Sequence, residues 1–298
     1  MPLATSVEFD GHRRRVIGQP NPVTVHEAAG ACKGQVLIVP GWSGPRSGPA
    51  DLLVHLASEL ARSGWRVLRL DHPGRGDAEG SFGACSLDDM VHAALMAHGM
   101  LISPPERAFI LGLCSGGNVA LGVVSTDAGL KTGRSTREEL NRVGAIALST
   151  LPFQPARSAS FERRRRWKNL KQYAAKVFSP ATWLRLLRGE INLERVKKNV
   201  TASEKPAEGE RNLKDSARDI EKELLSWKGP ALFIWGGGDE EAALARAHFE
   251  TMHAGGMGRP QATRFHTIAG SNHNFYARAC REELTREILA FLDQPTGQ

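Results

Sequence analysis

From residue 35 onward the chain alternates short apolar, β-branched runs with segments of helical period, and this alternation limits the folds open to it more than any other feature. The runs Gln35–Val39, Trp65–Leu70, Ala108–Leu113, Val143–Leu148, Ala231–Trp235 and Thr263–Ile268 have strand length, and the first ends in Pro40-Gly41 as a buried parallel strand would. Between them, Asp51–Arg62 carries Leu52, Leu53, Leu56 and Leu60 on one helical stripe, with Pro49 near its first turn and Gly64 just past its end. Leu87–Leu101 has an apolar face of Leu87, Met90, Val91, Ala94 and Leu95, and Ser86 and Asp89 stand at capping-box spacing. Helices over Ser115–Val124, Glu241–Met252 and Glu282–Leu292 complete the alternation. Strands this apolar need cover on both faces, so the expected class is α/β: a mostly parallel central sheet flanked by helices. Ahead of it, Ser6–Phe9 and Val23–Glu27 predict an N-terminal hairpin.

The alternation breaks over residues 151–228, where strong helix formers surround the run Arg163-Arg164-Arg165-Arg166-Trp167-Lys168 and a polar stretch covers Thr201–Glu210. Residues 1–150 and 229–298 therefore form the core, and 151–228 reads as an inserted helical cap on the ligand-binding edge of the sheet. A plain helical decoration is the alternative.

Phe109-Ile-Leu-Gly-Leu-Cys-Ser-Gly-Gly-Asn118 reads as strand, tight turn, helix, with Gly112 and Gly116 two positions either side of Cys114. A turn that sharp crowds both flanking positions against backbone and lifts the central side chain above the sheet. Were Ser115 central, bulky Leu113 would occupy the tightest position, so Cys114 is the candidate nucleophile; an inert buried cysteine is the plainer alternative. Asp239 follows the strand Ala231–Trp235 after a glycine run, ahead of the competing Glu240 and Glu241, and His273 follows the strand Thr263–Ile268. A thiol nucleophile needs a base within hydrogen-bond reach, oriented by a carboxylate on its other nitrogen, and His273 and Asp239 fit those roles. The backbone N–H groups of Ser115, at a helix start, and of Trp42, in the Val39-Pro-Gly-Trp-Ser43 loop, are the candidate oxyanion donors.

Over nearly its whole length the chain resembles the α/β-hydrolase superfamily, whose nucleophile, acid and histidine follow one another in the order Cys114, Asp239, His273. Asp71-His-Pro-Gly-Arg-Gly-Asp-Ala-Glu-Gly80 is similar to the D-x-x-G-x-G-x-S-x-G stretch of its serine-aminopeptidase-like and monoglyceride-lipase-like branch, with Ala78 where serine is usual. Pro40-Gly41 stands where a His-Gly pair is commoner. Cysteine at the elbow resembles dienelactone hydrolases and the hydrolases that accompany exosortase systems. The resemblance implies cleavage of carboxylic esters or thioesters through a Cys-His-Asp triad and an acyl-S-enzyme. One alternative is an acyltransferase that passes the acyl group from a coenzyme A or carrier-protein thioester to an amine or alcohol. Another, of a different class, is a non-catalytic binding protein on the same scaffold.

Composition narrows the partners. With 41% hydrophobic and 24% charged residues the chain is no disordered segment. Its four cysteines form no CxxC pair, which argues against a zinc site or disulfide framework, and neither metal nor cofactor is expected. No apolar stretch approaches a membrane span and the start lacks a signal-peptide pattern, so the expected location is the cytoplasm. The net charge is +7, and Arg163, Arg164, Arg165 and Arg166 suggest docking of an anionic substrate handle, such as coenzyme A phosphates or an acidic acyl carrier protein. A solvated charged face explains the run equally well. Nucleic acid fits poorly without interleaved aromatics, and membrane contact through Trp167, Phe178 and Trp183 is a lesser reading.

Overall fold

The computed structural model of the chain describes residues 6–9, 12–17, 22–99, 107–126, 141–153 and 213–294. Among the described residues, the strands are β1 (Ser6–Phe9), β2 (His12–Ile17), β3 (Val23–His26), β4 (Gly34–Val39), β5 (Trp65–Leu70), β6 (Ala108–Leu113), β7 (Val143–Leu148), β8 (Ala231–Gly236) and β9 (Thr263–Ile268). They form one sheet in the order β1-β2-β3-β5-β4-β6-β7-β8-β9. β4 to β9 pair in parallel, while β1, β2 and β3 add an antiparallel edge onto β5. The helices are α1 (Leu52–Arg62), α2 (Leu87–Gly99), α3 (Ser115–Ser125), α4 (Ile220–Leu224), α5 (Ala242–Ala254) and α6 (Arg278–Leu292).

Side-chain alternation along the strands builds the core. Val36 and Ile38 of β4, Phe109, Leu111 and Leu113 of β6, and Leu232 and Ile234 of β8 face one way, into a cluster completed by α1 and α6. The fully buried Leu52, Leu53, Leu56 and Leu60 of α1 each contribute about 1.5–3 kcal/mol by leaving water. The capping box of α2 forms as expected: the Ser86 N–H donates to Asp89 Oδ2 at 2.8 Å, and the Asp89 N–H donates to Ser86 Oγ at 3.3 Å. From β4 the chain builds to one side through α1 to β5 and to the other through α2 to β6. The C-terminal ends of β4 and β6 thus flank the crevice where strand order reverses, the usual ligand site of such sheets.

Two expectations are corrected. The N-terminal hairpin joins β1 to β2, not β1 to Val23–His26, which pairs with β2 instead. Arg13-Arg14-Arg15 lacks the apolar alternation by which a strand is read, so its membership comes from backbone pairing. The last helix begins at Arg278, a turn earlier than Glu282, because Cys280 already lies in the apolar stripe of Leu284, Ile288 and Phe291. The chain forms two compact units, Met1–Phe153 with Leu213–Gln298 and Gln154–Asn212. Residues 213–228 join the sheet unit through local chemistry: Ile220 and Leu224 are buried, Leu87 N–H donates to the Leu213 carbonyl at 2.8 Å, and Arg218 Nη1 to that of Gly122 at 3.0 Å. The cap, the polar stretch Thr201–Glu210 and Arg163–Arg166 lie outside the described residues.

Candidate active site

β6 ends at Leu113 and α3 begins at Ser115, so Cys114 alone turns the chain, at φ 56° and ψ −122°. Such a conformation is strained for a residue with a side chain and persists only where its surroundings over-determine it. Here they do. The Cys114 N–H donates to the Leu148 carbonyl at 2.7 Å, and its carbonyl accepts from Gly117 N–H at 2.9 Å. A Cβ on Gly112 would run into the backbone of Gly116 and Gly117, and one on Gly116 would stand 2.5 Å from the carbonyl oxygens of Val39 and Pro40. Both flanking positions therefore admit only glycine. Ser115, by contrast, is an ordinary first residue of a helix, with its Oγ 3.9 Å from the Cys114 sulfur.

Glycines likewise let the loops after β8 and β9 zip together. Gly237 and Gly238 donate to the carbonyls of Ile268 and Ser271 at 2.8 and 2.7 Å, and a Cβ on Gly236 would meet the Ser271 carbonyl at 2.5 Å. This apposition sets Asp239 against His273, with Oδ2 2.6 Å from Nδ1. The other edge of the ring turns to the Cys114 thiol, with which it hydrogen-bonds. Glu241, a competing carboxylate by sequence, instead donates its backbone N–H to Asp239 Oδ1 at 3.2 Å. Ser149, buried at φ 47°, donates its hydroxyl to the His273 carbonyl at 2.8 Å and so anchors the histidine loop to the end of β7.

The proton follows from this geometry. The Asp239 hydrogen bond first, then that of Cys114, raise the His273 pKa to about 10 against the opposing effect of burial. Burial pushes the Cys114 thiol up, but the hydrogen bond and charge of His273, with the Ser115 N–H, outweigh it and bring the value below the ordinary 9.0. Both shifts favour a thiolate facing an imidazolium, with the proton held by His273.

The turn Pro40-Gly41-Trp42 lies against this centre: a Cβ on Gly41 would stand 3.5 Å from the Cys114 Cβ. The Cys114 N–H is committed to Leu148, while the Ser115 N–H is directed at the sulfur; Trp42 follows Gly41 in the adjoining turn. Under the turn, His72 is fully buried with the Pro40 carbonyl facing it, although neither ring nitrogen makes a hydrogen bond of ordinary geometry. Burial first, then the Arg75 charge, lower its pKa to about 3, so the ring is neutral. Arg75 and Ser149 escaped the sequence reading. Arg75 sits inside a recognised motif but has no periodicity to mark it, and Ser149 shows itself only through its backbone angle. Among the described residues, no group of three or more His, Cys, Asp or Glu side chains could hold a metal ion, and no helix is long and apolar enough to cross a membrane.

Comparison with known proteins matches residues 36–286 to the alpha/beta hydrolase family. No curated protein matches the chain by sequence. Among solved structures, it is similar to a dienelactone hydrolase from Anabaena variabilis, at 13% identity over 97% of this chain and 95% of that one, with a TM-score of 0.55. It is also similar to the ferulic-acid-bound Est1E of Butyrivibrio proteoclasticus, at 15% identity over 98% and 100% of the two chains, with a TM-score of 0.56. A monoacylglycerol lipase from Paleococcus ferrophilus shares 19% identity over 91% and 97%, with a TM-score of 0.54. Identities this low speak for a shared fold.

Proposed function

The chain belongs to the alpha/beta hydrolase family, and on that premise we propose that it hydrolyses activated carboxylic esters or thioesters through an acyl-S-enzyme on Cys114. The observation that carries the reading is the Asp239–His273–Cys114 alignment, in which a 2.6 Å charge-assisted bond holds His273 as an imidazolium beside an acidified thiol. The Cys114 sulfur attacks the acyl carbonyl, a C–S bond forms, and the carbonyl electron pair moves onto oxygen. The N–H groups of Trp42 and Ser115 hydrogen-bond that oxyanion; the Ser115 donor is released from the sulfur as the thiolate charge is spent. Collapse expels the alkoxide or thiolate, which takes the Nε2 proton of His273. Water then attacks the acyl-S bond and gives its proton to the now neutral His273, and release of the acid restores the thiolate–imidazolium pair.

A thiolate leaves a tetrahedral intermediate more readily than an amide nitrogen does, so amides revert while thioesters, enol lactones and activated esters go forward. This supports acyl substrates with good leaving groups. The test is covalent trapping with a p-nitrophenyl ester and location of the acyl group by mass spectrometry. Wild type and Ser115→Ala should carry the acyl group at residue 114, and Cys114→Ala should carry none. Acyl mass on Ser115, or labelling of wild-type Cys114 by iodoacetamide no faster near neutral pH than an ordinary exposed thiol, overturns the reading.

A further inference from the structure

Arg75 is 4% exposed, yet its guanidinium has no carboxylate partner among the described residues. The acids of its own segment are committed elsewhere. Asp71 accepts from the backbone N–H groups of Arg46 and Asp77 at 2.6 and 3.1 Å, and Asp77 accepts from Arg46 Nη2 at 2.7 Å. Arg75 instead spends its donors on backbone and a thiol: Nε donates to the carbonyl of Trp42, Nη1 to that of Pro73 at 2.8 Å, and the Cys85 side chain hydrogen-bonds the guanidinium. Its flat face is held between the rings of Trp42, 5.0 Å from centroid to Cζ, and Phe82, at 4.4 Å. Nη2 is buried without a hydrogen-bond partner of normal geometry. Taking a cation out of water without a counter-ion is costly, and an apolar side chain would fill the same space more stably. A structural filler does not account for it.

What Arg75 grips is Trp42, which follows Gly41 in the turn packed on Cys114 and whose N–H is the second candidate oxyanion donor. Bonded at the Trp42 carbonyl and stacked on the Trp42 ring, it fixes both the backbone and the side chain of that residue. Its charge lies against Trp42, in the turn that packs on Cys114. Resting on the reaction proposed above, we infer that Arg75 is a positioning residue for oxyanion stabilisation, which aims the Trp42 N–H and adds a buried positive charge behind it.

Two reactions of the same sulfur separate this role from a structural one. Alkylation by iodoacetamide is a displacement at saturated carbon and forms no oxyanion, whereas acylation by p-nitrophenyl acetate does. Arg75→Met keeps the length and packing of the side chain but loses charge and donors; Arg75→Lys keeps charge and loses the fork. Misplacing a catalytic group by about 1 Å lowers rates roughly 10²-fold, and loss of an oxyanion donor costs about 10²–10³. Arg75→Met should therefore slow acylation of Cys114 about 10²-fold through kcat with KM little changed, while alkylation stays within about twofold to threefold of wild type. Arg75→Lys should fall between. Equal loss in both reactions, or loss in neither, overturns the inference, and the same comparison on Arg75→Lys decides it if Arg75→Met fails to fold. Wild type that alkylates rapidly but never forms an acyl-enzyme would sink the esterase reading itself, and this one with it.

Discussion

Replacing Asp239 by asparagine keeps the shape of the site and removes one charge, so it isolates what the carboxylate does to the proton shared by Cys114 and His273. Asp239 Oδ2 lies 2.6 Å from His273 Nδ1 and the acid side chain is 10% exposed, so little water screens the pair. That bond is the largest cause of the rise of His273 to about 10. A charged partner at this distance changes a protonation constant by a factor of about 10 to 10³. How the proton divides between thiol and imidazole depends on the difference of their pKa values, so the thiolate–imidazolium population falls by up to the same factor. The assay is the pH dependence of Cys114 alkylation by iodoacetamide. In the wild type the thiol is acidified, so thiolate persists as pH falls below the ordinary 9.0 and is lost only further down. In Asp239→Asn the neutral-pH rate drops about tenfold or more and recovers as pH rises through the ordinary thiol range. Ester turnover adds an alkaline limb: it declines in the wild type near pH 10, where His273 loses its proton, and at lower pH in the variant. Superimposable alkylation profiles would refute the ion-pair argument.

Two further substitutions probe the scaffold. Gly116→Ala puts a Cβ 2.5 Å from two backbone carbonyls and should cost about 1–3 kcal/mol in urea unfolding. At Gly83 a Cβ meets nothing within 4 Å, so Gly83→Ala should stay within about 0.5 kcal/mol; a wild-type midpoint for Gly116→Ala would mean the Pro40 turn does not press on the elbow. Ser149→Ala removes the 2.8 Å bond to the His273 carbonyl, with an expected loss of about 0.5–1.5 kcal/mol and slower acylation at unchanged KM. Unaltered acylation would show that the histidine loop holds its place without this anchor.

What the sequence revealed, and what it hid, divides along the range of the interactions. β4, β6, β7 and β8 were legible because a parallel strand buried along its whole length must be apolar on both faces, and the run Gln35–Val39 can satisfy little else. Cys114 was legible for a steric reason, since Gly112 answers the backbone of Gly116 and Gly117, and Gly116 answers the carbonyls of Val39 and Pro40. β2 was hidden because Arg13-Arg14-Arg15 carries no apolar alternation, and its place comes from backbone pairing with β1 and β3. Arg75 and Ser149 were hidden because each works through one long-range contact with a backbone carbonyl, of Trp42 and of His273, and a residue's type carries no record of such a partner.

The three groups of the site stand at the ends of β6, β8 and β9, and only the parallel register of one sheet brings them level. This division of supports matters for the chemistry. The lowered thiol and raised imidazole pKa values favour the proton on His273 in the resting state, which reduces the share of nucleophile deprotonation in the barrier of the proposed reaction. In the proposed reaction, what remains is stabilisation of the oxyanion and protonation of the leaving group. The first depends on the turn after β4, held by Arg75 and pressed against Gly116; the second depends on the His273 loop, held by Asp239 and Ser149. The supports of the two steps are spatially separate, so substitutions in one should alter acylation with little effect on thiol ionisation, and substitutions in the other should alter both. The strained turn at Cys114 joins them, because a sulfur displaced from φ 56° would lose its alignment with the Ser115 N–H and the His273 ring together.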